Sequence, residues 1–439
     1  MNKPEIAADV ANLKYATDAA GPADLKVPFH VGVFSRRRWQ VLIGLLVAVG
    51  IPGFILWWDS SFRVPTSSLS NAVLGTTFAV LAGYFLVRRL AIFPGLQVFS
   101  FILPSFAISY GIMAAVLLLS RADYSRFQVF TSFAFAVGFY HYAFLVERRL
   151  RRPRFAVLAG GHIAETMLWD KVDWLVWQSP DQLPHEYDGL VVDLRNDMPP
   201  EWETFIARCA LSGIPVYHSK QVHEWLTGQV SVEHLSENTF GSLVPSKAYW
   251  KAKFVADVLV SIVILPFAAI VCGLAAILIK LDSPGPVLFV QKRVGYRGRI
   301  FRMYKLRTMG ADSEGNHYTS SEDPRVTRVG ALLRRYRIDE LPQILNILKG
   351  EMSLIGPRPE AVELSNWYER EIPFYSYRHI VRPGISGWAQ VNQGNVARPE
   401  NVKYKLRYDF YYIKNFSPWL DAVIAAQSIR IILSGFGSR

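Results

Sequence analysis

Apolar residues are concentrated in five long stretches of the chain, with polar, turn-rich segments between them. The first four stretches are Trp39–Trp58, Leu69–Val87, Phe99–Leu119 and Phe127–Val146. Each has about 20 residues, and at about 1.5 Å per helical residue this length matches a hydrocarbon core about 30 Å thick. The pattern therefore predicts four transmembrane helices over residues 36–150.

Basic residues flank these four stretches unevenly. One side carries Arg36, Arg37, Arg38, Arg88, Arg89, Arg148, Arg149, Arg151, Arg152 and Arg154, and the other side carries only Arg63, Arg121 and Arg126. Because lysine and arginine are enriched in cytoplasmic loops, we expect both ends of the bundle to be cytoplasmic. Residues 1–35 have no hydrophobic periodicity, which predicts a disordered cytoplasmic arm. His141 and Glu147 are ionisable residues in or near the fourth stretch, where they could form a proton relay. A packing or snorkelling role for these two side chains is the favoured interpretation.

Residues 151–235 are more polar and alternate between strand and helix patterns. FAVLAGG, WLVWQ, GLVVDL and IPVYH are typical of buried strands, and Pro199–Leu211 has a helical period. Alternating elements predict a small parallel sheet with helices, that is, a Rossmann-like domain. Its glycine turn, Gly160-Gly161-His162, lacks the Gly-x-Gly-x-x-Gly spacing, because Glu165 and Thr166 follow. We therefore expect a degenerate domain for assembly or regulation and disfavour an NAD-dependent enzyme.

The fifth apolar stretch, Phe254–Ile279, follows a predicted linker at residues 236–250. Pro266 interrupts it, and proline in a regular helix costs about 3 kcal/mol. Both flanks are basic, so a crossing would leave one basic end outside. The pattern favours a re-entrant helix over residues 251–281 that enters and leaves on one side. A proline-kinked fifth span is the alternative.

Composition supports a membrane protein. The chain has 439 residues, of which 51% are hydrophobic, and a formal net charge of +12. Because this charge follows the borders of the apolar stretches, it indicates a membrane surface and argues against nucleic acid. The two cysteines, Cys209 and Cys272, lie in different segments and imply no disulfide framework.

The polar block after the fifth stretch carries the candidate chemistry. Asp339 and Glu340 lie between a basic cluster and Arg358, which stands between two prolines. Neighbouring side chains on a helix diverge by about 100°, so adjacent carboxylates suit two different tasks, such as nucleophile and metal ligand. Cations on both sides indicate a polyanionic substrate. Upstream, Lys305 and Arg307 lie two apart on a predicted strand, where two cations on one face suit an anion.

Six ordered segments from about residue 245 to the end resemble the monotopic polyprenol-phosphate phosphoglycosyl transferases, the bacterial sugar transferase family. They are KFVADVLVSIVILPFAAIV, SPGPVLFVQKRVG, FRMYKLRTM, RRYRIDELPQILNILKGEMSLIGPRPE, VRPGISGWAQVN and YDFYYIKN. With the preceding spans and α/β domain, the chain is similar to the long form of that family. The resemblance implies an α + α/β membrane protein whose catalytic domain, residues 251–439, is carried on the re-entrant helix. The family often has Ser-Pro at the helix break, whereas this chain has Leu265-Pro266.

The resemblance also implies an activity in the bacterial inner membrane, with the catalytic domain in the cytoplasm. A hexose-1-phosphate, from UDP-glucose or UDP-galactose by preference, would pass to undecaprenyl phosphate and start exopolysaccharide, capsule or O-antigen synthesis. Asp339 would be the nucleophile, and Glu340, with or without Asp339, would hold Mg²⁺. The expected phosphate and substrate contacts are Lys305, Arg307, Arg334, Arg358, Gln390, Asn392 and Asp409. Trp388 is open between stacking on uracil and a core position.

The chain is also expected to have protein and lipid partners. Long-form relatives lead us to expect a homodimer, in contact with inner-membrane lipids. The C-terminal segment, Pro418–Leu433, is predicted to lie on the membrane surface. A non-catalytic scaffold of a polysaccharide assembly complex is the rival, and the intact Asp339-Glu340 pair argues against it.

Overall fold

The structure is a computed structural model, which describes residues 37–58, 65–90, 99–150, 153–158, 172–195, 197–230, 245, 247–310, 323–393 and 399–434. The chain divides into two compact units, Met1–Thr227 and Gly228–Arg439. The predicted linker therefore lies within the second unit, and its last residues already belong to a helix.

The first unit begins with long apolar helices. They are α1 (Arg37–Trp58, with a π-helical turn at Leu46–Gly50), α2 (Thr66–Leu90), α3 (Phe99–Leu119) and α4 (Arg126–Leu150). They pack through a shared apolar core that includes Ala48, Val80, Phe106 and Tyr140. Their bounds match the predicted spans to within a few residues. In the described part of the chain, these four and one later helix have the length and apolar composition of a membrane span.

A polar cluster lies among the helices where α1, α2 and α4 meet. Arg88 donates to both carboxylate oxygens of Glu147, at 3.0 and 2.8 Å, and Gln40 donates to Glu147 at 3.0 Å. Nδ1 of His141 lies 2.8 Å from the Val137 carbonyl, one turn earlier. A half-buried Glu147 that is paired with Arg88 supports the packing interpretation of this residue.

The α/β part of the first unit is a parallel sheet. Its elements are β1 (Arg154–Leu158), β2 (Asp173–Trp177), β3 (Gly189–Val192), α5 (Pro200–Leu211), β4 (Val216–His218) and α6 (Ser219–Thr227). The strand order is β2-β1-β3-β4, and every pair is parallel. Phe205 of α5 packs on one face of the sheet and Val222 of α6 on the other, as period-2 alternation requires. The glycine turn at residues 160–162 lies outside the described residues.

The second unit starts with a long helix and continues as a compact α/β block. Its elements are α7 (Lys247–Asp282), β5 (Leu288–Val294), β6 (Ile300–Leu306), α8 (Arg328–Arg335), a 3-10 helix (Ile338–Gln343), α9 (Ile344–Leu348), β7 (Ser353–Ile355), α10 (Val362–Glu371), a second 3-10 helix (Tyr375–Ile380), β8 (Gly384–Ser386), α11 (Trp388–Gln393), α12 (Pro399–Lys414) and α13 (Pro418–Ser434). β5 and β6 form an antiparallel hairpin, and β7 and β8 pair in parallel. Lys305 lies on β6 as predicted, whereas Arg307 lies beyond the end of this strand, so the two cations do not share a strand face.

α7 is helical through Pro266 and has one buried stripe along its length. The stripe consists of Lys253, Asp257, Ser261, Ala268, Ala275 and Ile279. The other faces are apolar and exposed: Val263, Phe267 and Ile270 expose about two thirds of their surface. An apolar helix with a single buried stripe is suited to lipid on its remaining faces.

Both halves of α7 pack against the same α/β block, residues 283–434. In the N-terminal half, Lys253 forms an ion pair with Asp421 at 2.7 Å, and Asp257 accepts a hydrogen bond from Ser353 at 2.5 Å. In the C-terminal half, Ala275 and Ile279 pack with Leu306 and Leu333. The stripe therefore faces one body from end to end.

Candidate active site

The two adjacent carboxylates lie at the start of a tight turn of helix. α8 is capped by Thr327, whose hydroxyl accepts from the Gly330 amide at 3.0 Å. Arg337 then adopts a left-handed conformation (φ 54°), which ends α8 and starts the 3-10 helix that holds Asp339 and Glu340. Gly350, which follows α9, has a left-handed φ of 75°, a conformation that favours glycine after a helix end.

Glu340 is buried and clamped by cations. Its Oε1 accepts from Arg358 at 2.8 Å and from Lys305 at 3.0 Å, and Arg337 approaches Oε2 at 3.6 Å. Burial alone would raise the pKa of Glu340, but Arg358, Lys305 and Arg337 hold it well below its ordinary value. Glu340 is therefore ionised throughout the neutral pH range.

Asp339 is equally buried but is not held in this way. Within the described residues, its carboxylate makes no hydrogen bond and no ion pair within 4 Å. Burial and the negative charge of Glu340 raise its pKa to about 6, and Lys305, Arg358 and Arg334 offset this only in part. The two neighbours therefore differ in their surroundings: cations hold Glu340, whereas Asp339 has no such partner among the described residues.

The loop that carries Arg358 is fixed from behind. Arg378, only 3% exposed, donates to the Arg358 carbonyl at 2.9 Å and pairs with Asp409 at 2.8 Å. Arg293 donates to the Pro359 carbonyl at 3.1 Å. These contacts hold the main chain of the loop while the Arg358 side chain reaches Glu340.

Glu360 completes this layer. Burial would raise its pKa, but Lys405, Arg378 and Arg293 lower it to about 2. Alternating buried charges of this kind are satisfied as a group, so loss of one member leaves its partners uncompensated. Sequence reasoning missed Arg293, Arg378, Glu360 and Lys405. Each partner lies far along the chain, so no local spacing marks them.

The structure brings some of the predicted residues to the carboxylates and gives others different partners. Lys305 and Arg358 contact Glu340 directly, and Arg334 lies close enough to Asp339 to lower its pKa while donating to Thr308 at 2.9 Å. Arg307 instead donates to the carbonyls of Ser283 and Pro284, so Lys305 and Arg307 serve different partners. Its role as a phosphate ligand remains a prediction.

The remaining predicted residues make contacts within the domain. Gln390 donates to the Ile385 carbonyl at 3.1 Å, and Asn392 to the Trp388 carbonyl at 2.8 Å. Asp409 lies behind the Arg358 loop, as its pairing with Arg378 shows. Trp388 is 1% exposed, stacks on Tyr411 and donates to the Gly228 carbonyl, which supports the core alternative.

The two carboxylates provide oxygen atoms that could bind a hard divalent cation. Oε2 of Glu340 is buried and has no hydrogen-bond donor among the described residues, and the Asp339 carboxylate is adjacent. Mg²⁺ prefers such oxygen ligands and takes the rest from substrate phosphates and water. The described residues contain no cluster of three or more candidate ligands, so protein groups alone would not complete the shell.

Comparison with known proteins decides the family. The sequence model of the family described as bacterial sugar transferase matches residues 248–435. A protein of Aeromonas hydrophila named UDP-N-acetylgalactosamine-undecaprenyl-phosphate N-acetylgalactosaminephosphotransferase is 44% identical over 404 residues, which cover 90% of this chain and 95% of that protein. The chain belongs to the bacterial sugar transferase family.

Other members of this sugar transferase family match a smaller share of the chain. The UDP-glucose:undecaprenyl-phosphate glucose-1-phosphate transferase of Xanthomonas campestris is 44% identical over 163 residues, or 36% of this chain and 34% of the relative. A Caulobacter vibrioides protein of the same name is 40% identical over 198 residues, or 44% of this chain and 74% of the relative. Family membership and the long apolar helices together identify this sugar transferase as a membrane protein.

Proposed function

We propose that this sugar transferase moves a sugar-1-phosphate from a UDP-sugar to undecaprenyl phosphate, releasing UMP and starting the synthesis of a polysaccharide. The observation that carries the proposal is the contrast within the carboxylate pair. Glu340 is fixed by Lys305 and Arg358, whereas Asp339 is free to meet a phosphorus atom among cations. The names of relatives that transfer a sugar phosphate to undecaprenyl phosphate support the same reaction.

The donor sugar is proposed from the relatives. A relative that spans almost the whole chain is named for N-acetylgalactosamine, and other relatives that match a smaller share are named for glucose. We therefore add UDP-N-acetylgalactosamine to UDP-glucose and UDP-galactose as a leading candidate. All three share the UDP and pyranose groups that the cationic site would hold.

The chemistry proceeds as two substitutions at phosphorus. A carboxylate oxygen of Asp339 bonds to the phosphorus that carries the sugar, the bond from that phosphorus to the bridging oxygen breaks, and UMP leaves with the electron pair. A phosphate oxygen of undecaprenyl phosphate then bonds to the same phosphorus and releases the Asp339 carboxylate. Because each step exchanges one phosphate linkage for another, Lys305, Arg334 and Arg358 contribute by aligning the oxygens and compensating their charge.

Mg²⁺ is proposed at the same place. Glu340 and Asp339 would hold it, and the ion would neutralise phosphate charge during transfer. Glu340 also fixes Lys305 and Arg358, so this residue organises the site in the absence of substrate.

The placement of the site at a membrane surface is supported by α7. A helix that crossed the hydrocarbon core would carry its C-terminal half to the far side. Instead, both halves pack on one catalytic block, which supports a helix that enters and leaves on the cytoplasmic side of the bacterial inner membrane. Pro266, inside this helix, is the proposed position of the bend. A homodimer and the contact with inner-membrane lipids also remain proposals, as does the assembly role of the Rossmann-like domain.

The test is UMP release from a panel of UDP-sugars with undecaprenyl phosphate and Mg²⁺. We expect release with one donor clearly preferred, together with formation of the lipid-linked diphospho-sugar. Omission of the acceptor should stop turnover beyond a single equivalent. If the purified protein were inert with every donor, the scaffold function would replace this proposal.

Activity is expected to rise with pH through the ionisation of Asp339. Since its pKa in the substrate-free protein is raised to about 6, kcat/KM should fall about tenfold per pH unit below that value and be level above it. Arg334→Gln removes a cation that lowers this pKa, so the midpoint should move to higher pH. Arg335→Gln is the matched control, because Arg335 is exposed and is not among the groups that shift Asp339. A pH profile that is identical in wild type and Arg334→Gln would contradict the assignment.

A further inference from the structure

The guanidinium of Arg382 lies among aromatic rings at the start of α7. Its Cζ atom is 4.3 Å from the ring centre of Trp250, 4.3 Å from that of Phe254 and 5.7 Å from that of Tyr296. The rings of Trp250 and Tyr296 also contact each other, with their centres 5.8 Å apart. These three residues, the aromatic cluster, attract the guanidinium through their π faces. The Arg382 side chain is therefore held between α7 and the turn of the β5–β6 hairpin.

Within the described part of the chain, Arg382 uses only one of its hydrogen-bonding groups. Nε donates to the Gly350 carbonyl at 3.0 Å. Nη1 and Nη2 have no hydrogen-bond acceptor and no carboxylate within 4 Å among the described residues. Burial lowers the pKa of Arg382, and Tyr296 and Asp257 offset this only in part. Two donors of a planar cation are thus left for an acceptor outside the protein.

Arg382 lies at the level where α7 passes from polar to apolar surroundings. Lys251 is exposed, and the exposed apolar surface of α7 begins at Val255, directly after Phe254. Between Lys251 and Lys280, where every residue is described, no exposed position carries a charge. Such a border marks the headgroup layer of a membrane, where tryptophan and tyrosine are also enriched. The guanidinium that stacks on Phe254 therefore lies at the depth of lipid phosphate groups.

Further positive charge surrounds this position. The Cζ atom of Arg297 lies 5.1 Å from the centre of the Tyr296 ring, so this ring is in contact with two arginines. Arg297 is exposed in the turn of the hairpin, and Lys251 is exposed on α7. Cations next to an apolar membrane segment attract lipids with a net negative charge. The charges therefore favour an anionic headgroup over a zwitterionic one.

We propose that Arg382, together with Arg297 and the aromatic cluster, binds the phosphate group of an anionic phospholipid where α7 enters the membrane. The Nη1 and Nη2 donors match two oxygens of one phosphate. The acyl chains then run along the apolar face of α7 beyond Val255, and Lys251 adds to the charge that faces the headgroup. This site fixes the depth of α7 in the bilayer. It does not depend on the transfer reaction.

The experiment measures thermal unfolding of the full-length protein in detergent micelles with added dioctanoyl phosphatidylglycerol or dioctanoyl phosphatidylcholine. The quantity is the increment in melting temperature that phosphatidylglycerol gives over phosphatidylcholine. With phosphatidylglycerol at about 100 times its wild-type Kd, we expect Arg382→Gln to weaken binding about tenfold and thereby to halve this increment. If Arg382 only joined α7 to the Gly350 carbonyl, the variant would lower both melting temperatures equally and leave the increment unchanged.

Arg370→Gln is the matched control, because Arg370 is an exposed arginine on α10 and does not contact the aromatic cluster. Its increment should equal that of wild type, and Arg382→Lys should recover only part, since lysine keeps the charge without the planar pair of donors. An undiminished increment in Arg382→Gln, an equal loss in Arg370→Gln, or a wild-type protein without any increment would overturn the inference. An equal increment from sn-glycerol 3-phosphate would also overturn it, because the site would then bind soluble phosphates.

Discussion

Asp339→Asn is expected to lower the rate of sugar-phosphate transfer about a thousandfold or more, because the amide cannot form the bond to phosphorus. The same change should leave the fold intact and raise its thermal stability. Asp339 is buried, and its carboxylate has neither a hydrogen bond nor an ion pair among the described residues. A negative charge in this position lowers the stability of the folded protein, and the proposed reaction requires that charge.

The sign of the stability effect follows from proton binding. The pKa of Asp339 is about 6 in the folded protein, above its ordinary value of 3.8. Between these values the folded chain retains a proton that the unfolded chain has lost, so stability falls as pH rises through this interval. Above about pH 6 the loss is complete and amounts to about 1–3 kcal/mol, which the Asp339→Asn change would recover in large part.

The measurement combines UMP release with thermal unfolding at pH 7.5 and at pH 4.5. The gain in melting temperature should be clear at the higher pH and smaller at the lower one, where wild-type Asp339 is largely protonated. Full activity in Asp339→Asn would show that Asp339 is not the nucleophile. A variant that is inactive and also strongly destabilised would indicate a structural role instead.

Glu340→Gln is expected to abolish activity as well, but with the opposite effect on stability. The glutamate balances the positive charges of Lys305, Arg358 and Arg337, and its side chain is 5% exposed. Removal of one partner from a buried ion cluster costs about 3–5 kcal/mol, since the remaining charges stay buried without compensation. The melting temperature should fall by several degrees, with a rate loss of about a hundredfold or more.

The pH dependence gives this prediction a second test. The folded-state pKa of Glu340 lies below its ordinary value, so the residue contributes stability above the unfolded pKa of 4.5, and this contribution is lost as pH falls towards the folded pKa. The difference in melting temperature between wild type and Glu340→Gln should therefore shrink below pH 4.5. Glu371→Gln, at an exposed carboxylate, serves as the control and should change neither property. If wild type and Glu340→Gln were equally stable at pH 7, the ion pairs of Glu340 with Lys305 and Arg358 would not stabilise the fold, and the prediction would be wrong.

The pair of variants separates two roles that composition cannot distinguish. Both are single conservative changes from carboxylate to amide at neighbouring positions, and both are expected to be inactive. Opposite shifts in stability would show that one carboxylate is held available and the other is used to assemble the site. If both variants changed the melting temperature in the same direction, the assignment of Asp339 as the unpaired carboxylate and Glu340 as the ion-paired one would be wrong.

Local sequence determined the elements and the reactive groups. The apolar stretches gave the bounds of α1 to α4 and α7 to within a few residues, because length and period are local properties. The strand that was predicted around Lys305 is present as β6. Asp339, Glu340, Lys305 and Arg358 were identified from their order in the family motifs.

Tertiary structure alone decided how those groups differ. Only the pairing of Glu340 with Lys305 and Arg358 shows which of the two carboxylates is fixed. Only the structure shows that the Arg307 guanidinium binds the carbonyls of the Ser283–Pro284 turn. The support of the Arg358 loop by Arg378 and Asp409, and the packing of both halves of α7 on one block, join segments that are distant in sequence. Periodicity records which face of an element is apolar, but ion pairs and packing depend on which elements meet, and no local pattern contains that information.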